Sequence, residues 1–404
     1  MGKAYRNATP RVAMLYTRYP VASETFLQRE AAALARLGLD FDALSLWPSP
    51  GRVSCEVPAF HVLKPWQLLA LFWWIPFWLI RRPKAMVRIA TALVEARHPN
   101  VINFWETMLG MGYGISRASG IKRKYTHVHA VWSSAPGTAA WVLELLTDLP
   151  YSMAGHAYDL FEDGGDGLLE VKIPKARFLR TSTEAGRRRW IELGARPDQV
   201  HVMRRGLMKF PSMKASRRPG VPVQLLAVGR LVEKMGYPVL LEVLRELIDQ
   251  DFPFEAVFIG GGPLEKQLLK KAERLGLAGK VWFTGALPYE EVENFYREAD
   301  LFLFGGVIAG SGDRAGFPNV IGEAMAWGVP VCARPVGAVC EAVQDGKTGI
   351  LFDDPREAAP KIIHLCRSAE SYEAVREAAR GWVENEFDSL RNMQAFKDLI
   401  ESQN

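Results

Sequence analysis

The sequence predicts an α/β protein of two doubly wound, Rossmann-like domains that face a cleft. Apolar, strand-like runs alternate with helical runs in both halves of the 404 residues. Residues 209–222 are rich in proline, serine, lysine and arginine, and they lack periodicity, which indicates a linker. We therefore expect an N-terminal domain at 1–208, a C-terminal domain at 223–384 and a final helix at 385–404.

Composition limits the classes of function. With 49% hydrophobic and 24% charged residues the chain is globular, and its net charge of +5 is too mild to require a nucleic-acid partner. The four cysteines lack paired metal spacing, so no metal site is predicted, and they suit a reducing cytoplasm. They are Cys55, Cys332, Cys340 and Cys366. No apolar signal-peptide core precedes the first predicted strand, so we expect a cytoplasmic protein.

The first half opens with a strand and a helix. Arg11–Tyr16 is apolar and strand-like, and a helix is expected from Phe26 to about Leu37, where Gly38 ends it. The loop between them, Thr17–Thr25, follows the carboxyl end of a strand, where open α/β sheets bind ligands. Ser23 could equally be an ordinary helix N-cap. Further strands and helices of this half are expected at His127–Trp132, Ser133–Leu146, Ala176–Thr183, Glu184–Leu193 and Val200–Met203.

Trp66–Ile80 is the most apolar run of the chain. It is too short to span a bilayer, Pro76 interrupts it, and Arg81, Arg82, Lys84 and Arg88 follow it. Aromatic bulk beside cations favours a segment, 66–88, that lies on an anionic membrane surface, and residues 122–124 could add to the same face. The alternative is a buried core helix. We expect peripheral attachment to the inner membrane face.

The second half starts at the strand Val223–Val228, and a helix begins near Pro238. Later strands are expected at Ala256–Gly260, Lys280–Thr284 and Asp300–Phe304, with a helix through Tyr296 and a helical end over Pro355–Leu399.

Ser311–Phe352 is the most informative stretch. A glycine-rich loop ends at Pro318, a helix runs from about Asn319 to Trp327, and Gly328 stops it. The strand Val329–Ala333, a helical piece from Glu341 to Val343 and the strand Ile350–Phe352 follow. Free N–H groups at the start of the first helix would favour a diphosphate, and Glu323 could accept hydrogen bonds from a ribose or sugar. The alternative is a buried βα unit with a capped helix.

This stretch resembles the C-terminal signature of the GT4 family of retaining glycosyltransferases. The matching segments are GFPN, EAMA, GVPV and DGKTGILF, all in register. The resemblance implies the GT-B fold, a nucleotide-sugar donor (UDP- or GDP-linked) and no metal or other cofactor. It also implies a last helix that crosses back to the first domain. It places donor contacts at Gly316, Phe317, Pro318, Asn319, Val320 and Glu323.

Two N-terminal segments add to the resemblance. The segment YPVASETF resembles the corresponding segment of the branch that builds capsules and exopolysaccharides. This resemblance implies that Ser23 and Glu24 line the acceptor side of the cleft. The segment PYSMAGHAYDLF resembles the family's strand-then-histidine segment, which implies that His156 lies near the sugar and diphosphate of the donor. A structural role is the alternative for a single histidine.

Two positions depart from the family pattern. After the strand at 223–228 the family carries an arginine and, five residues later, a lysine, and both bind the diphosphate. Arg230 fits the first position, Met235 occupies the second, and Lys234 stands one place early. The first of the two family carboxylates falls on Ala315, while the second is Glu323. His156, Arg230 and Glu323 are the expected catalytic residues, and Lys234 is an expected donor contact.

Three functions remain open at this point. The favoured one is a glycosyltransferase that acts on a lipid-linked (polyprenyl-linked) or surface-glycan acceptor. The second is a catalytically degenerate relative that acts as a nucleotide-binding or scaffolding partner of another transferase. The third is a phosphorylase or epimerase on the same architecture, which would need no glycan acceptor.

Overall fold

The structure, a computed structural model, describes residues 11–21, 24–49, 60–213 and 219–402. The chain divides into two compact units. Unit 1 holds the described residues up to Arg205 together with those from Ser389 onward, and unit 2 runs from Gly206 to Asp388.

Unit 1 is built on a parallel sheet. Its described strands are β1 Val12–Arg18, β2 Phe41–Trp47, β3 Phe60–Val62, β4 His127–Ala130, β5 Tyr151–Ala154, β6 Leu179–Thr181 and β7 Val200–Val202. Their order across the sheet is β3-β2-β1-β4-β5-β6-β7, and Val12 of β1 pairs with Phe41 on one side and His127 on the other. The chain first spreads to one side of β1 and then to the other, which is the doubly wound arrangement.

Helices join these strands. They are α1 Thr25–Arg36, α2 Leu71–Arg81, α3 Pro83–Glu95, α4 Val101–Lys124, α5 Ala135–Thr147, α6 Tyr158–Phe161, α7 Leu169–Lys172 and α8 Glu184–Glu192. Trp141 of α5 and Trp190 of α8 are fully buried in the core of the unit. Because helices connect the parallel strands and cover the sheet, the inner strands β4, β5 and β6 are buried along their whole length.

Unit 2 repeats this plan. Its strands are β8 Val223–Val228, β9 Phe254–Ile259, β10 Val281–Gly285, β11 Leu301–Phe304, β12 Val331–Ala333 and β13 Ile350–Leu351, in the sheet order β10-β9-β8-β11-β12-β13. Its helices are α9 Tyr237–Asp249, α10 Glu265–Arg274, α11 Tyr289–Glu298, α12 Asn319–Ala326, α13 Pro355–Arg367 and α14 Ala369–Glu386. The strand pairs of both sheets are parallel, so the predicted fold class of two doubly wound α/β domains is confirmed.

The helical end of the chain consists of separate helices. After α13 and α14 the last one, α15, covers Ser389–Ser402 and belongs to unit 1, where it packs against α1. Phe396 of α15 lies in ring contact with His129 of β4, at 4.7 Å between centroids. The piece expected as a helix from Glu341 to Val343 is a short 3-10 turn at Val339–Glu341.

The apolar run at 66–80 forms a 3-10 turn, Pro65–Ala70, followed by α2. Trp78 is buried and its Nε1 donates to the carbonyl of Ile115 at 3.1 Å, while Phe72 and Trp73 are 80% and 76% exposed. The helix therefore rests on unit 1 through one face and presents the other to solvent. Within the described ranges, no helix is both long enough and apolar enough to cross a membrane.

Candidate functional site

The switch point of unit 2 lies between β8 and β11, where the chain changes the direction in which it adds strands. Ligands of open α/β sheets bind outside the carboxyl ends of the strands at such a point. Two loops follow these strands, and we call residues 229–236 and 305–318 the switch-point loops. A Cβ built on Gly305 would lie 2.3 Å from the carbonyl oxygen of Gly236, so the two backbones touch.

Hydrogen bonds hold the switch-point loops together. The N–H of Val307 donates to the carbonyl of Lys234 at 3.1 Å, and the N–H of Gly310 donates to Oε1 of Glu233 at 3.2 Å. One loop thus positions the other, and both form one edge of the candidate site.

Lys234 and Asp313 form an ion pair within these loops. Nζ of Lys234 donates to Oδ2 of Asp313 at 2.6 Å, and each side chain is 16% exposed. The neighbouring Met235 packs against the hydrophobic core of unit 2. The 3-10 turn at Glu233–Met235 therefore sends the methionine inward and the lysine to the polar side. Sequence reasoning missed Asp313, whose one signal is its place in the glycine-rich loop, two residues before Ala315.

Arg230 follows Gly229 directly after β8, and its side chain is exposed. Its carbonyl accepts from the N–H of Val232 at 2.9 Å, which fixes the backbone of the loop. The arginine therefore stands at the carboxyl edge of the sheet with its side chain in solvent.

Helix α12 begins at Asn319, and Pro318 is its N-cap residue. The first N–H groups of a helix have no intrahelical acceptor, and they carry partial positive charge, so this end can hold an anion. Oδ1 of Asn319 is buried and has no hydrogen-bond partner among the described residues. One turn further on, Glu323 is 6% exposed and its Oε2 accepts from the hydroxyl of Tyr296 at 3.2 Å.

The residues before α12 serve mainly to shape the loop. Phe317 is buried, and its ring packs on those of Trp382 and Phe387, with centroids 5.7 and 5.6 Å away. The carbonyl of Gly316 accepts from the N–H of Ala338 at 3.1 Å, and the carbonyl oxygen of Val320 lies 3.4 Å from the hydroxyl oxygen of Tyr296. The side chain of Phe317 therefore packs in the interior of unit 2, and only its backbone groups could contact a ligand.

A second set of polar groups lies at the carboxyl edge of the unit 1 sheet. Asp159 accepts from the backbone N–H groups of Ser133, His156 and Ala157 at 3.0 to 3.1 Å, and from the Ser133 hydroxyl at 2.9 Å. Burial raises the pKa of the Asp159 carboxyl, and these hydrogen bonds partly offset that rise. Asp159 therefore fixes the segments that follow β4 and β5.

His156 stands on the segment that Asp159 fixes. Its side chain is 2% exposed, its ring lies 5.3 Å from that of Trp132 and 6.4 Å from that of Phe26, and neither ring nitrogen has a partner in the described structure. Burial and the nearby cations Arg205 and Arg180 hold the pKa of His156 well below its usual value. The ring is therefore neutral near pH 7, with one N–H to donate and one nitrogen to accept.

Arg205, which follows β7, was not singled out from the sequence. Its guanidinium carbon lies 3.5 Å from the centroid of Phe26, and burial lowers its pKa to about 10, so it stays charged at neutral pH. Nothing in the local sequence distinguishes this arginine from its neighbour Arg204. Its place on the Phe26 ring is known from the fold alone.

The acceptor-side residues expected from the sequence are Ser23 and Glu24. Ser23 lies outside the described residues. Glu24 precedes α1. Burial lowers the pKa of Arg205, and the negative charge of Glu24 partly offsets this, while burial raises the pKa of Tyr158 and Glu24 adds to that rise. It therefore belongs to the same charged neighbourhood as His156.

Glu106 of α4 is another residue that sequence reasoning missed. Burial and the charge of Asp166 raise its pKa to about 7, and the Tyr158 hydroxyl donates to its Oε1 at 3.3 Å. Together with Ser134 it lines a small recess beside Asp159. A carboxyl group that titrates near neutrality at the edge of a sheet is suited to exchange a proton with a hydroxyl ligand.

Residues 209–382 match the protein family described as "Glycosyl transferases group 1". This match spans nearly all of unit 2, and we call residues 209–382 the glycosyl transferase domain. The switch-point loops, Arg230, Glu323 and α12 all lie within this glycosyl transferase domain. The match covers no part of the first sheet, so the residues around His156 are not part of it.

Two relatives extend the comparison. The chain is 31% identical over 214 residues to the putative colanic acid biosynthesis glycosyltransferase WcaL of Salmonella typhimurium, and 32% identical over 215 residues to the amylovoran biosynthesis glycosyltransferase AmsK of Erwinia amylovora. Each alignment covers 52% of this chain and 53% of the relative, so the chain spans about half the length of the curated relatives it matches. The predicted resemblance to GT4 enzymes of the exopolysaccharide branch is confirmed.

Solved structures show the fold over nearly the whole chain. HepE of Anabaena in complex with UDP superposes with a TM-score of 0.69 at 16% identity, covering 97% of this chain and 100% of that one. Sucrose-phosphate synthase of Thermosynechococcus elongatus gives a TM-score of 0.70 at 15% identity, covering 97% and 98%. The predicted GT-B fold is confirmed, because these neighbours share it.

Proposed function

We propose that this chain is a retaining glycosyltransferase. It moves a sugar from a UDP- or GDP-linked donor to a lipid-linked or surface-polysaccharide acceptor. The observation that carries this proposal is the glycosyl transferases group 1 domain at residues 209–382. The names of two relatives, which place them in colanic acid and amylovoran biosynthesis, favour a glycan acceptor, and the UDP complex of HepE favours a nucleotide-sugar donor.

The glycosyl transferase domain would hold the donor. The N–H groups at the start of α12 and the exposed Arg230 would bind the diphosphate, and Glu323 would accept from a hydroxyl of the ribose or sugar. Lys234 would add a cation whose charge Asp313 partly offsets. Negative charge builds up on the diphosphate as it leaves, and these fixed dipoles and cations would stabilise it without a metal ion.

Unit 1 would supply His156 and the acceptor side. The neutral imidazole of His156 would donate one hydrogen bond to a sugar or phosphate oxygen. Glu24 and Ser23, at the start of α1, would contact the acceptor.

The proposal is tested first by ligand-dependent melting and turnover. We expect one nucleotide sugar among the UDP-, GDP- and ADP-linked candidates to raise the melting temperature, because it binds the folded state alone. We then expect Glu323→Gln, which keeps the side-chain volume, to lower the rate of sugar transfer by about 100-fold. The matched control is Glu357→Gln on the exposed face of α13. A well-folded parent protein that binds no nucleotide sugar would contradict the proposal.

We also propose that unit 1 attaches peripherally to an anionic membrane. The side chains of Trp66, Leu69, Phe72, Trp73 and Ile80 are between 65% and 81% exposed. Beside them, a cavity of about 800 Å³ is lined by aromatic rings and by Arg81, Arg82, Lys122 and Arg123. Cations at the ends of α2 and α4 stabilise those helices whether or not a membrane is present. Large exposed aromatic side chains do not stabilise a helix in this way, so they are the stronger indication of a binding surface. Together they suit the boundary between headgroups and acyl chains.

Vesicle flotation tests this attachment. We expect the parent protein to float with vesicles that contain phosphatidylglycerol and the double variant Phe72→Ser/Trp73→Ser to stay largely in solution, since the variant loses its inserting rings. Leu269→Ser, an exposed apolar position on α10, is the control and should float like the parent. Equal flotation of all three proteins would rule α2 out as the membrane contact.

A further inference from the structure

Three side chains surround the ring of Phe26 in unit 1. The Arg205 guanidinium stacks on its face, with 3.5 Å between the guanidinium carbon and the ring centroid. The rings of His156 and Trp132 lie 6.4 and 6.2 Å from it. A cation and an imidazole therefore share one aromatic neighbour at the carboxyl edge of the sheet.

Four polar atoms of this group have no hydrogen-bond partner among the described residues. Nε and Nη2 of Arg205, and both ring nitrogens of His156, are buried and form no hydrogen bond with any described residue. The two side chains are themselves 9% and 2% exposed. Buried donors are almost always satisfied, and a charged donor is the most costly to leave unsatisfied, so such a cluster calls for a ligand.

The nearby carboxylates are already engaged. Glu30 forms a buried salt bridge with Arg180, and Asp159 accepts the four hydrogen bonds that fix the loop of His156. The second buried cation, Arg180, also lies close enough to lower the pKa of His156. Arg180 and Glu30 offset each other, whereas the Nε and Nη2 donors of Arg205 form no hydrogen bond with the described residues. An oxyanion would accept a hydrogen bond from each of these two donors.

We propose that Arg205 and His156 together bind a phosphate oxyanion of a diphosphate substrate. The planar guanidinium presents its Nε and Nη2 donors as a fork, which matches two oxygens of one phosphate, and the neutral imidazole adds a single N–H. The inference rests on the proposed function for its substrate class. The diphosphate belongs either to the nucleotide donor or to a lipid-linked acceptor.

The test compares Arg205→Met and Arg205→Lys with the parent protein. Methionine keeps the packing on Phe26 without the charge, and lysine keeps the charge without the fork. The probes are UDP, GDP, inorganic pyrophosphate and geranyl diphosphate, measured by calorimetric titration. We expect Arg205→Met to weaken binding of the diphosphates by about 10- to 100-fold, and Arg205→Lys to restore part of it. Arg188→Gln, an exposed position on α8, is the control and should bind like the parent.

A second readout separates ligand binding from a structural role. Because Arg205→Met removes a buried charge whose Nε and Nη2 donors form no hydrogen bond with the described residues, its melting temperature without ligand should equal or exceed that of the parent. A lower melting temperature with unchanged diphosphate affinity would overturn the inference. A loss confined to UDP and GDP would assign the oxyanion to the donor, and one confined to geranyl diphosphate would assign it to a lipid-linked acceptor.

The failure of this inference and the failure of the proposed function give different results. If the parent binds nucleotide sugars and Arg205→Met binds them and geranyl diphosphate equally well, the proposed function survives and this inference fails. If the parent binds pyrophosphate through Arg205 but binds no nucleotide sugar, the inference survives and the proposed function fails. A parent that binds no probe would overturn both.

Discussion

The ion pair between Lys234 and Asp313 joins the two switch-point loops, 79 positions apart in sequence. Both side chains are mostly buried, so their attraction is stronger than that of an exposed pair. Oδ1 of Asp313 is buried and forms no hydrogen bond with the described residues. A donor diphosphate beside Lys234 would be attracted by the lysine and repelled by the carboxylate, so the pair would set how tightly a nucleotide is held.

Substitutions at this pair should change nucleotide affinity in opposite directions. We expect Lys234→Ala to weaken binding of UDP or GDP by about 10-fold or more, and Asp313→Asn to tighten it, because the first removes an attraction and the second a repulsion. Calorimetric titration of the nucleoside diphosphate measures both. Lys266→Ala on the exposed face of α10 is the control for a change in overall charge. If Lys234→Ala behaves like this control, Lys234 is not a donor ligand.

At the scale of elements, the contact between Gly236 and Gly305 sets how closely the switch-point loops approach. A Cβ on Gly236 would lie 2.1 Å from the carbonyl oxygen of Gly305, and its φ of +68° also favours glycine. Gly305 has no positive φ, so a side chain there would be excluded by the close approach alone. The two loops are therefore a single unit, and a change in one must displace the other.

Two glycine-to-alanine substitutions in one loop distinguish the steric effect of this contact from the general effect of replacing a glycine. We expect Gly305→Ala to lower the free energy of unfolding by about 1–3 kcal/mol, because backbone on the facing loop must move. It should also weaken nucleotide binding. Gly310→Ala is the matched control, since a Cβ there would meet nothing within 4 Å. Urea unfolding measures the difference, and equal midpoints for the two variants would show that the loops adjust without strain.

At the scale of the whole molecule, three buried histidines with lowered pKa values lie in the described part of unit 1. They are His127, His129 and His156, and burial is the main cause in each case. The pKa of His127 is about 3. The unfolded chain takes up protons at these residues below about pH 6.5, whereas the folded chain does not, so stability must fall as the pH falls.

We expect His127 to remove about 1.4 kcal/mol of stability per pH unit between about pH 6 and pH 4, and His129 and His156 to add to this loss in the same direction. The urea midpoint followed by tryptophan fluorescence measures this loss. His127→Asn should be less stable near pH 7, because it loses the 2.8 Å contact with the Ser152 hydroxyl, but should show a shallower slope with pH. His364→Gln, which removes an exposed ring on α13, is the control. If His127→Asn leaves the dependence of the urea midpoint on pH unchanged, His127 does not cause the loss of stability at low pH.

The sequence was sufficient for the fold class because parallel strands are buried on both faces and appear as short apolar runs between helices. It was not sufficient for α4, whose 24 residues include Gly110, Gly112, Gly114 and Gly120 and show no narrow apolar stripe. Glu323, Arg230 and His156 could be singled out from the sequence because each lies in a recognisable motif. Asp313 and Arg205 could not be found in this way, since the partner of each lies on a distant segment that only the fold brings near.

The return of α15 to unit 1 has a consequence for synthesis on the ribosome. The buried groups that it covers, among them Arg180 and His129, belong to strands translated long before Met393 and Phe396. At about 5–20 residues per second, the intervening residues 206–388 take roughly 10–40 s to emerge. During that interval the surface that will receive α15 is open to chaperones. Unit 2, although second in sequence, is therefore the first whose full set of residues is available for folding.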